Sequence, residues 1–286
     1  MLGLGEIGLP TAKYIADKGI EVFGYDLNPE AIERAKMHGI LKASNEWQAV
    51  PPANIYIICV YAGLKDGKPD FSSVFDVCEK INERVLSSPS TEASLVSIES
   101  TVIPGVSRKV YEEKFRRRIN LIHVPHRYWA GDPVKRGVKQ PRVIGAVDDK
   151  SLKLGLTFYS ETLKVPLHQV SPIEVAEMSK ISENAYRYLQ IAFAEELKMV
   201  CEGFGLNFNE VQKACNTKWN IKILEARDGI KAHCLPKDAK YFASLTETTK
   251  IIKNAMLVDE IYQKWLLQKN LEKHALNVSV KDTDED

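Results

Sequence analysis

Hydrophobic and polar positions follow two different patterns in the two parts of the chain. Up to about residue 171, short apolar runs alternate with stretches in which apolar residues recur at helical spacing. This alternation is typical of a parallel sheet whose strands are joined by crossover helices. The predicted strands cover 21–26, 55–61, 94–100, 120–126 and 142–146, and the predicted helices cover 8–18, 29–38, 72–85 and 105–116.

The second part of the chain predicts helices alone. From 172 to 203 apolar residues recur at helical spacing without a break, which predicts one helix longer than most helices of globular proteins. Shorter helices are predicted over 207–216 and 245–269. The last residues, KDTDED, are charged and lack a core pattern, so we predict that residues 271–286 form a disordered acidic tail.

Composition narrows the class of protein. The 286 residues are enough for two domains, each with its own core. The formal net charge of +1 gives no reason to expect nucleic acid or an anionic membrane as a partner. The five cysteines lack metal-ligand spacing, and the chain opens directly on a structural motif, so we expect no metal site and no signal peptide. An odd number of cysteines without a signal peptide favours reduced thiols and a cytoplasmic location.

Three glycines open the first predicted helix. Residues 2–10 read LGLGEIGLP and place Gly3, Gly5 and Gly8 in the GxGxxG spacing. In that pattern the first glycine makes a tight turn, the second lets the backbone approach a pyrophosphate, and the third lets the helix pack closely on the strand. The pyrophosphate would lie at the helix N-terminus, where Glu6 and Ile7 complete the predicted cofactor turn. Taken alone, such a cluster also fits an ordinary helix-opening turn.

Asp26 favours the dinucleotide interpretation of this turn. It ends the next predicted strand, eighteen residues after Gly8, where an acid binds the ribose 2′-hydroxyl of a dinucleotide. An acid there repels a 2′-phosphate, and Leu27 and Asn28 offer no cation, so NAD is favoured over NADP. We therefore predict an α/β fold, a Rossmann-type doubly wound parallel sheet over residues 1–171. An all-helical domain built on one long helix follows over residues 172–270.

The strand that should precede Gly3 is short. Only Met1 and Leu2 stand before that glycine, where four or five apolar residues are expected. We expect either a misassigned start of the chain or a clipped central strand. The second case would weaken both the sheet and the cofactor site.

Polar residues surround one cysteine of the helical part. Residues 233–241 read HCLPKDAKY, so His233, Lys237 and Asp238 flank Cys234. Such neighbours are typical of an exposed, reactive thiol, although a buried structural thiol is the alternative.

Lys180, Asn184 and Arg187 fall on one face of the long helix. An amine and an amide held together can stabilise an oxyanion, although the same spacing fits a solvated helix face.

These residues resemble the nucleotide-sugar 6-dehydrogenases, which include the UDP-glucose, GDP-mannose and UDP-N-acetylmannosamine dehydrogenases. His233 and the segment ENAYR resemble the N-acetylmannosamine branch more than the glucose branch. The resemblance rests on five segments in order: LGLGEIGLP at 2–10, ESTVIPG at 99–105, PRVIG at 141–145, AEMSKISENAYRYLQIAFAEEL at 176–197 and HCLPKD at 233–238. The last of these resembles the family's nucleophile loop.

The resemblance implies oxidation of a sugar C6 alcohol to the carboxylate with two NAD in turn. Cys234 would add to the intermediate aldehyde, and a second hydride transfer would give a thioester that water hydrolyses. Lys180 and Asn184 would stabilise the oxyanions, and Asp238 would order or activate water. Thr101 matches the turn that lies near the nicotinamide. The long helix matches the family's usual dimer contact, which implies a homodimer.

Three departures from the family pattern carry consequences. The family's Pro-Glu-Arg is here Pro125, His126 and Arg127, so an imidazole replaces a carboxylate of the site. Before the cysteine, Lys231 and Ala232 stand where the family has paired glycines. The family's third, C-terminal domain, which holds the nucleotide, has no counterpart in this chain. We expect it to be missing or supplied by a separate chain.

Three functional hypotheses remain open at this point. The first is a nucleotide-sugar 6-dehydrogenase or a shortened derivative. The second is a non-catalytic or partner-dependent NAD-binding relative, and the third is a two-domain hydroxyacid dehydrogenase. The third uses a helix lysine but needs no cysteine, so the activity of Cys234→Ala separates it from the first.

Overall fold

The chain forms two compact units, Met1–Ile181 and Ser182–Asp286. The computed structural model describes residues 1–87, 94–231 and 233–281, with side chains up to residue 271. The division falls ten residues later than the predicted domain boundary, because the first turns of the long helix pack within the first unit. A Cβ at Gly145 would lie 2.9 Å from the Cα of Ile173, and both Ile173 and Ala176 are fully buried.

The first unit is built on a mixed sheet. Strands β3, β6, β7, β8 and β9 lie side by side in that order, and β1 pairs with β2. All of these pairs are parallel except β7 with β8. The strands are β1 (Gly24–Tyr25), β2 (Ala43–Ser44), β3 (Ile55–Ile58), β4 (Gly63–Lys65), β5 (Lys68–Asp70), β6 (Leu95–Ile98), β7 (Asn120–His123), β8 (Arg142–Ala146) and β9 (Leu167–Val170).

The strands differ from the prediction in number and in direction, and neither β2 nor β9 was predicted. The β7–β8 pair is antiparallel because no helix lies in the segment 124–141 to provide the crossover that a parallel pair requires. The hairpin of β4 and β5 was not predicted, although its turn carries a hairpin signal. Asp66 and Gly67 have φ of 52° and 76°, the left-handed values of a two-residue hairpin turn.

The first three residues lie in the middle of the sheet. Leu2 bridges in parallel to Tyr25 of β1 and Ile58 of β3. The Tyr25 amide donates to the Met1 carbonyl at 2.9 Å, and the Cys59 amide donates to the Leu2 carbonyl at 2.7 Å. These residues therefore occupy the place of a central strand between β1 and β3, although they are too few to form one.

Helices pack on the sheet and make up the second unit. The predicted helices are present. Two further helices, α5 and α8, were not predicted, and the π-helical turn Thr157–Thr162 follows α5. The α/β fold followed by a helical unit is thus confirmed. The helices are α1 (Gly8–Ala16), α2 (Pro29–Met37), α3 (Ser72–Leu86), α4 (Val106–Lys109), α5 (Asp149–Leu156), α6 (Ile173–Gly203), α7 (Phe208–Cys215), α8 (Cys234–Ser244) and α9 (Lys250–Lys281).

The second unit packs around small residues of α6. Ala185 and Ala192 lie in one cluster with Ala239 of α8 and with Ile252 and Ala255 of α9. Their short side chains let the helices approach closely. None of the helices within the described ranges combines the length and the apolar character that a membrane span needs.

Helix α9 runs beyond its predicted end. Its backbone is helical as far as Lys281, where the sequence predicted a disordered tail from residue 271. The added stretch is rich in Leu, Lys, Glu and Ala, which favour helix, so the absence of a core pattern does not prevent the helix from continuing. The remaining residues of that predicted tail, 282–286, lie outside the described part of the chain.

A buried acidic pair holds the second unit together. Asp259 of α9 accepts hydrogen bonds from the Ile230 amide at 2.9 Å, the Tyr188 hydroxyl at 3.0 Å and the Gln263 amide at 3.0 Å. Glu195 of α6 is fully buried beside it. Burial and the negative charge of Asp259 raise the pKa of Glu195 to about 8, although the Lys198 ammonium opposes the shift. Glu195 is therefore protonated at neutral pH.

The proton on Glu195 makes the stability of this unit depend on pH. The folded chain retains this proton up to about pH 8, whereas the unfolded chain releases it near the ordinary value of 4.5. The resulting stabilisation of the folded state is complete below pH 4.5 and is lost as the pH rises towards 8. We expect the unfolding free energy of Glu195→Gln, relative to that of the unmutated chain, to increase by roughly 2 kcal/mol or more from pH 5 to pH 8.5. Urea denaturation at the two pH values measures this change.

Glu196→Gln is the matched control, because Glu196 is the next residue and is exposed. It should leave the pH dependence of the unfolding free energy unchanged. Equal pH dependence in the unmutated chain and in Glu195→Gln would contradict the protonated state of Glu195.

Candidate active site

Backbone geometry requires two of the three glycines of the predicted cofactor turn. Gly3 has φ of +90°, and a Cβ there would lie 2.4 Å from the Cys59 carbonyl oxygen. A Cβ on Gly8 would lie 1.9 Å from the carbonyl oxygen of Gly3. Around Gly5 nothing lies within 4 Å of the Cβ position, so protein packing does not require that glycine. The open side of Gly5 is where a phosphate can approach the backbone.

The N-terminus of α1 offers backbone amides to an anion. The first amides of a helix have no partner within the helix, and the N-cap residue Ile7 provides no side-chain acceptor for them. Glu6 is exposed just before this point, so its backbone is the part suited to a phosphate and its carboxylate is not.

Asp26 is fixed against the glycine turn. It follows β1 directly, and its Oδ2 accepts from the Leu4 amide at 2.7 Å while its Oδ1 accepts from the Asn28 amide at 2.9 Å. A carboxylate has about four acceptor sites, so both oxygens retain capacity for a ribose hydroxyl. Gly3, Gly5, Gly8 and Asp26 are thus brought together as the sequence predicts.

The turn after β6 carries Thr101 and is fixed to α6. The amides of Gly105 and Ser107 donate to the Glu177 carboxylate at 2.6 and 2.7 Å, at the N-terminus of α4. Glu177 is fully buried, and burial raises its pKa against these hydrogen bonds. Lys180 follows Glu177 by about one turn of α6, so the contact sets the position of this lysine in the first unit.

A buried charge cluster lies at the carboxyl ends of β3, β6 and β7. Glu99 follows β6 and accepts from Arg142 at 3.1 Å, from the Tyr159 hydroxyl and from His126. Burial alone would raise the pKa of Glu99, but the His126 and Arg142 charges, with the hydrogen bonds from His126 and Tyr159, lower it to about 2. Glu99 is therefore a buried anion.

His126 stands where the family resemblance predicts a glutamate. Burial lowers the pKa of His126. The attraction of Glu99 opposes this shift, and the positive charges of Arg142 and Lys180 add to it. The His126 imidazole lies 3.0 Å from the Thr11 hydroxyl of α1 and donates to Glu99. A glutamate here would face the Glu99 carboxylate, so the surroundings of position 126 favour imidazole.

The sequence drew attention to His126 but not to Glu99, Arg142 and Tyr159. The available signal was the presence of Glu99 and Arg142 at the ends of otherwise apolar runs, since a charge at a buried strand end needs a partner. Neither the pairing nor Tyr159, which lies 60 residues from Glu99, can be deduced from local patterns.

Cys59, Glu99 and His126 also offer ligand atoms within 4.8 Å of one another, the one such group found in the described part of the chain. Arg142 already supplies a cation to this carboxylate and would repel a metal ion. We therefore interpret the group as an ion-pair cluster.

Cys234 lies in the second unit as the exposed first residue of α8. The family resemblance placed it in a loop, and its exposure excludes the alternative of a buried structural thiol. The helix dipole favours negative charge at this position.

Asp238 follows one turn after Cys234 and is fully buried. It accepts from the Asn184 amide at 2.5 Å and pairs with the Lys237 ammonium at 3.0 Å. The structure thus brings Asn184 and Asp238 together, as the sequence predicts for two residues of one site. Lys180 and Asn184 lie about one turn apart on α6, the first in the first unit and the second in the second.

Comparison with known proteins gives two matches to one family. Residues 30–163 match the model of the NAD-binding domain of the UDP-glucose/GDP-mannose dehydrogenase family, and residues 174–263 match the model of its central domain. NAD is therefore confirmed as the cofactor of the first unit. The match begins after Asp26, so the glycine turn rests on its own geometry.

The relatives are longer than this chain. A UDP-N-acetyl-D-mannosamine dehydrogenase of Methanococcus maripaludis is 30% identical over 277 residues, which cover 89% of this chain and 63% of the relative. The structure of a UDP-D-ManNAc dehydrogenase from Pyrococcus horikoshii superposes with a TM-score of 0.84 at 30% identity, covering 96% of this chain and 71% of that one. The chain thus spans less than two thirds of the length of the first of these relatives.

A third likeness concerns the fold alone. The 3-hydroxyisobutyrate dehydrogenase of Mycobacterium tuberculosis superposes with a TM-score of 0.68 at 17% identity. The superposition covers 92% of this chain and 91% of that one.

Asp26 should select between the two nicotinamide cofactors. We expect NAD to bind at least about tenfold more tightly than NADP in calorimetry, because the carboxylate repels a 2′-phosphate. Asp26→Asn keeps an acceptor for the Leu4 amide and removes the charge, so the ratio should fall to about threefold or less. Glu21→Gln, an exposed acid just before β1, is the control. An unchanged ratio in Asp26→Asn would show that another residue discriminates.

Proposed function

Because the chain belongs to the UDP-glucose/GDP-mannose dehydrogenase family, we propose that it oxidises the C6 alcohol of a nucleotide sugar to the carboxylate. The substrate would be of the UDP-N-acetylmannosamine or UDP-glucose type, as the named relatives suggest. The observation that carries the proposal is the exposed Cys234 at the start of α8, with the Asn184–Asp238 pair one turn further on. This arrangement combines a nucleophile with a carboxylate and an amide donor.

The first oxidation needs a base, an oxyanion stabiliser and a hydride acceptor. NAD supplies the acceptor when it is bound. Lys180, held through the Glu177 contact, would stabilise the alkoxide that forms as the C6 hydroxyl loses its proton. Thr101 would border the nicotinamide from the turn after β6. The product of this step is an aldehyde, with one NAD reduced.

The second oxidation needs a covalent adduct. The Cys234 thiolate would form a bond to the aldehyde carbon, giving a thiohemiacetal whose C6 hydrogen leaves as hydride to a second NAD. Water, ordered or activated by Asp238, would then break the carbon–sulfur bond of the resulting thioester. Asn184 would donate to the oxyanion in these steps. In sum, one alcohol, two NAD⁺ and one water give one carboxylate, two NADH and three protons.

Two other functions are separated from this one by single residues. A hydroxyacid dehydrogenase would fit the superposition on the 3-hydroxyisobutyrate enzyme, but it would not need the exposed Cys234. A non-catalytic or partner-dependent relative would fit the changes at His126 and Lys231. The retained set of Lys180, Asn184, Cys234 and Asp238 favours the enzyme.

A homodimer around α6 forms part of the proposal. Tyr186, Phe193 and Val200 recur every seventh residue and are 64%, 54% and 50% exposed, so they form an apolar stripe along this helix. Ile181, on the same helix, is buried within the first unit.

A separate chain that supplies a nucleotide-binding domain is a further partner we propose, on the basis of the longer relatives. We also propose a cytoplasmic location, which the lack of disulfides among the described cysteines supports.

Cys234 should be needed for the second oxidation more than for the first. We expect the unmutated chain to form two NADH per sugar, and Cys234→Ser to form one and accumulate aldehyde, with acid formation reduced at least about 100-fold. Lys180→Ala should slow both oxidations. NADH absorbance and the NMR spectrum of the product give the two readouts.

Cys215→Ser, on the half-exposed thiol of α7, is the matched control and should retain both steps. Full acid production by Cys234→Ala would refute the thioester route. The absence of turnover with any nucleotide sugar, while NAD binds, would favour the non-catalytic relative.

The stripe on α6 should hold two copies together. We expect a dimeric mass by light scattering at micromolar concentration, and a monomeric mass for the double substitution Tyr186→Asp and Phe193→Asp, because buried charges without partners oppose association. Glu196→Gln, exposed on the same helix, is the control. A monomeric mass of the unmutated chain would refute the dimer.

A further inference from the structure

The segment 226–230 leads to the candidate nucleophile and is held by α6 and α9 of the same unit. The Lys198 ammonium of α6 donates to the Ala226 carbonyl at 3.5 Å and to the Tyr262 hydroxyl of α9 at 3.0 Å. That hydroxyl donates in turn to the Arg227 carbonyl at 2.7 Å. Tyr262 is fully buried, so water competes little for these contacts. One lysine and one tyrosine therefore fix two successive carbonyl groups of the segment.

Asp259 fixes the far end of the same segment. Its Oδ1 accepts from the Ile230 amide at 2.9 Å, and this hydrogen bond is buried. The Ile230 side chain packs in one apolar cluster with Leu235 and Ala239 of α8, the helix that begins at Cys234. A shift of the segment away from Asp259 would therefore be transmitted to the start of α8.

Asp259 shares the interior of the unit with a second carboxyl group. Glu195 of α6 is fully buried beside it. Burial and the negative charge of Asp259 raise the pKa of Glu195 to about 8, so Glu195 is neutral at neutral pH. The titratable groups around the two acids are Tyr188 and Lys198 of α6 and Glu260 of α9, and the segment itself carries the exposed Arg227 and Asp228.

We propose that Asp259 is a positioning residue for Cys234, because it holds the segment 226–230 in place as long as its neighbour Glu195 is neutral. Ionised Glu195 would set two carboxylates against each other in an interior that screens charge poorly. The segment is the part that yields, since it forms no helix or strand of its own and both acids lie within long helices. The effect on catalysis rests on the proposed function, whereas the effect on the segment does not.

The hold on the segment should weaken as the pH rises. The held state keeps the proton of Glu195 up to about pH 8, whereas a released state, which is open to water, loses it at a lower pH. Release therefore becomes easier as the pH rises towards 8 and changes little above that value. Ionised Glu195 would also compete with the Ala226 carbonyl for the Lys198 ammonium, which weakens a second contact of the segment.

Hydrogen exchange followed by mass spectrometry tests the proposal on the full chain. Protection factors, which correct for the intrinsic effect of pH on exchange, are measured for the peptide 226–231. We expect them to fall at least about tenfold between about pH 6 and pH 9. A local release exposes little surface, so they should not respond to about 1 M urea, unlike exchange through unfolding of the whole unit.

Glu195→Gln places a neutral group of nearly the same size beside Asp259. Its protection factors should stay within about twofold over that pH range, because no charge forms. Glu196→Gln, at the exposed next residue, is the matched control and should show the full fall of the unmutated chain. Tyr262→Phe removes the hydroxyl that binds the Arg227 carbonyl, so it should lower the protection at every pH and leave the fall in place.

Two results would overturn the proposal: protection factors that stay constant in the unmutated chain, or an equal fall in Glu195→Gln. In kinetics, kcat for acid formation at about pH 9 should be at least about threefold lower in the unmutated chain than in Glu195→Gln, with the KM for NAD unchanged. Cys234 is the same in both proteins, so its own titration cancels in this ratio. Equal pH profiles would refute the positioning of the thiol.

The outcomes also separate this proposal from the proposed reaction. A fall in protection that Glu195→Gln removes, in a chain that turns over no nucleotide sugar, would support the hold on the segment and count against the reaction. Turnover by a chain whose segment keeps constant protection would support the reaction and refute the hold.

Discussion

The first unit depends on one buried negative charge. Glu99 joins the end of β6 to the start of β8 through Arg142, to the turn after α5 through Tyr159, and to the segment after β7 through His126. His126 in turn contacts Thr11 of α1, the helix that begins at the glycine turn. A buried anion without these partners would destabilise the folded state, so the charge of Glu99 requires all of them. The elements that form the cofactor site are therefore positioned by the same network that neutralises Glu99.

The second unit solves a similar problem in a different way. Two carboxyl groups meet in its interior without a cation between them, and one of them, Glu195, remains protonated. The other, Asp259, satisfies its oxygens with donors, among them the Ile230 amide. Ile230 lies in the segment that leads to Cys234, so the same acid supports both the packing of α9 and the approach to the thiol. Structure and candidate chemistry share these residues in both units.

Local signals in the sequence predicted most of the fold. Apolar periodicity located α6 and five of the described strands, namely β1, β3, β6, β7 and β8. The spacing of Gly3, Gly8 and Asp26 predicted a turn that the structure forms. The family resemblance assigned Asn184 and Asp238 to one site, and the structure adds the hydrogen bond between them.

Features that depend on distant partners could not be predicted. The Glu99 contacts join residues 27 to 60 positions apart, and no periodicity records them. Helix α8 was missed because its polar start, HCLPKD, was taken for a loop, whereas proline is favoured in the first turn of a helix. The end of α9 was missed because helix propensity continued after the core pattern had ceased.

The three glycines of the first turn are under different constraints, and this difference has a consequence for reading related sequences. Gly3 and Gly8 are required by the chain itself, since a methyl group on either would collide with backbone. Gly5 has open space around it, so only a bound molecule gives a reason to exclude a side chain there. In a divergent relative, loss of either outer glycine would signal a changed backbone. Loss of Gly5 alone would indicate a relative that keeps the fold but no longer binds the nucleotide.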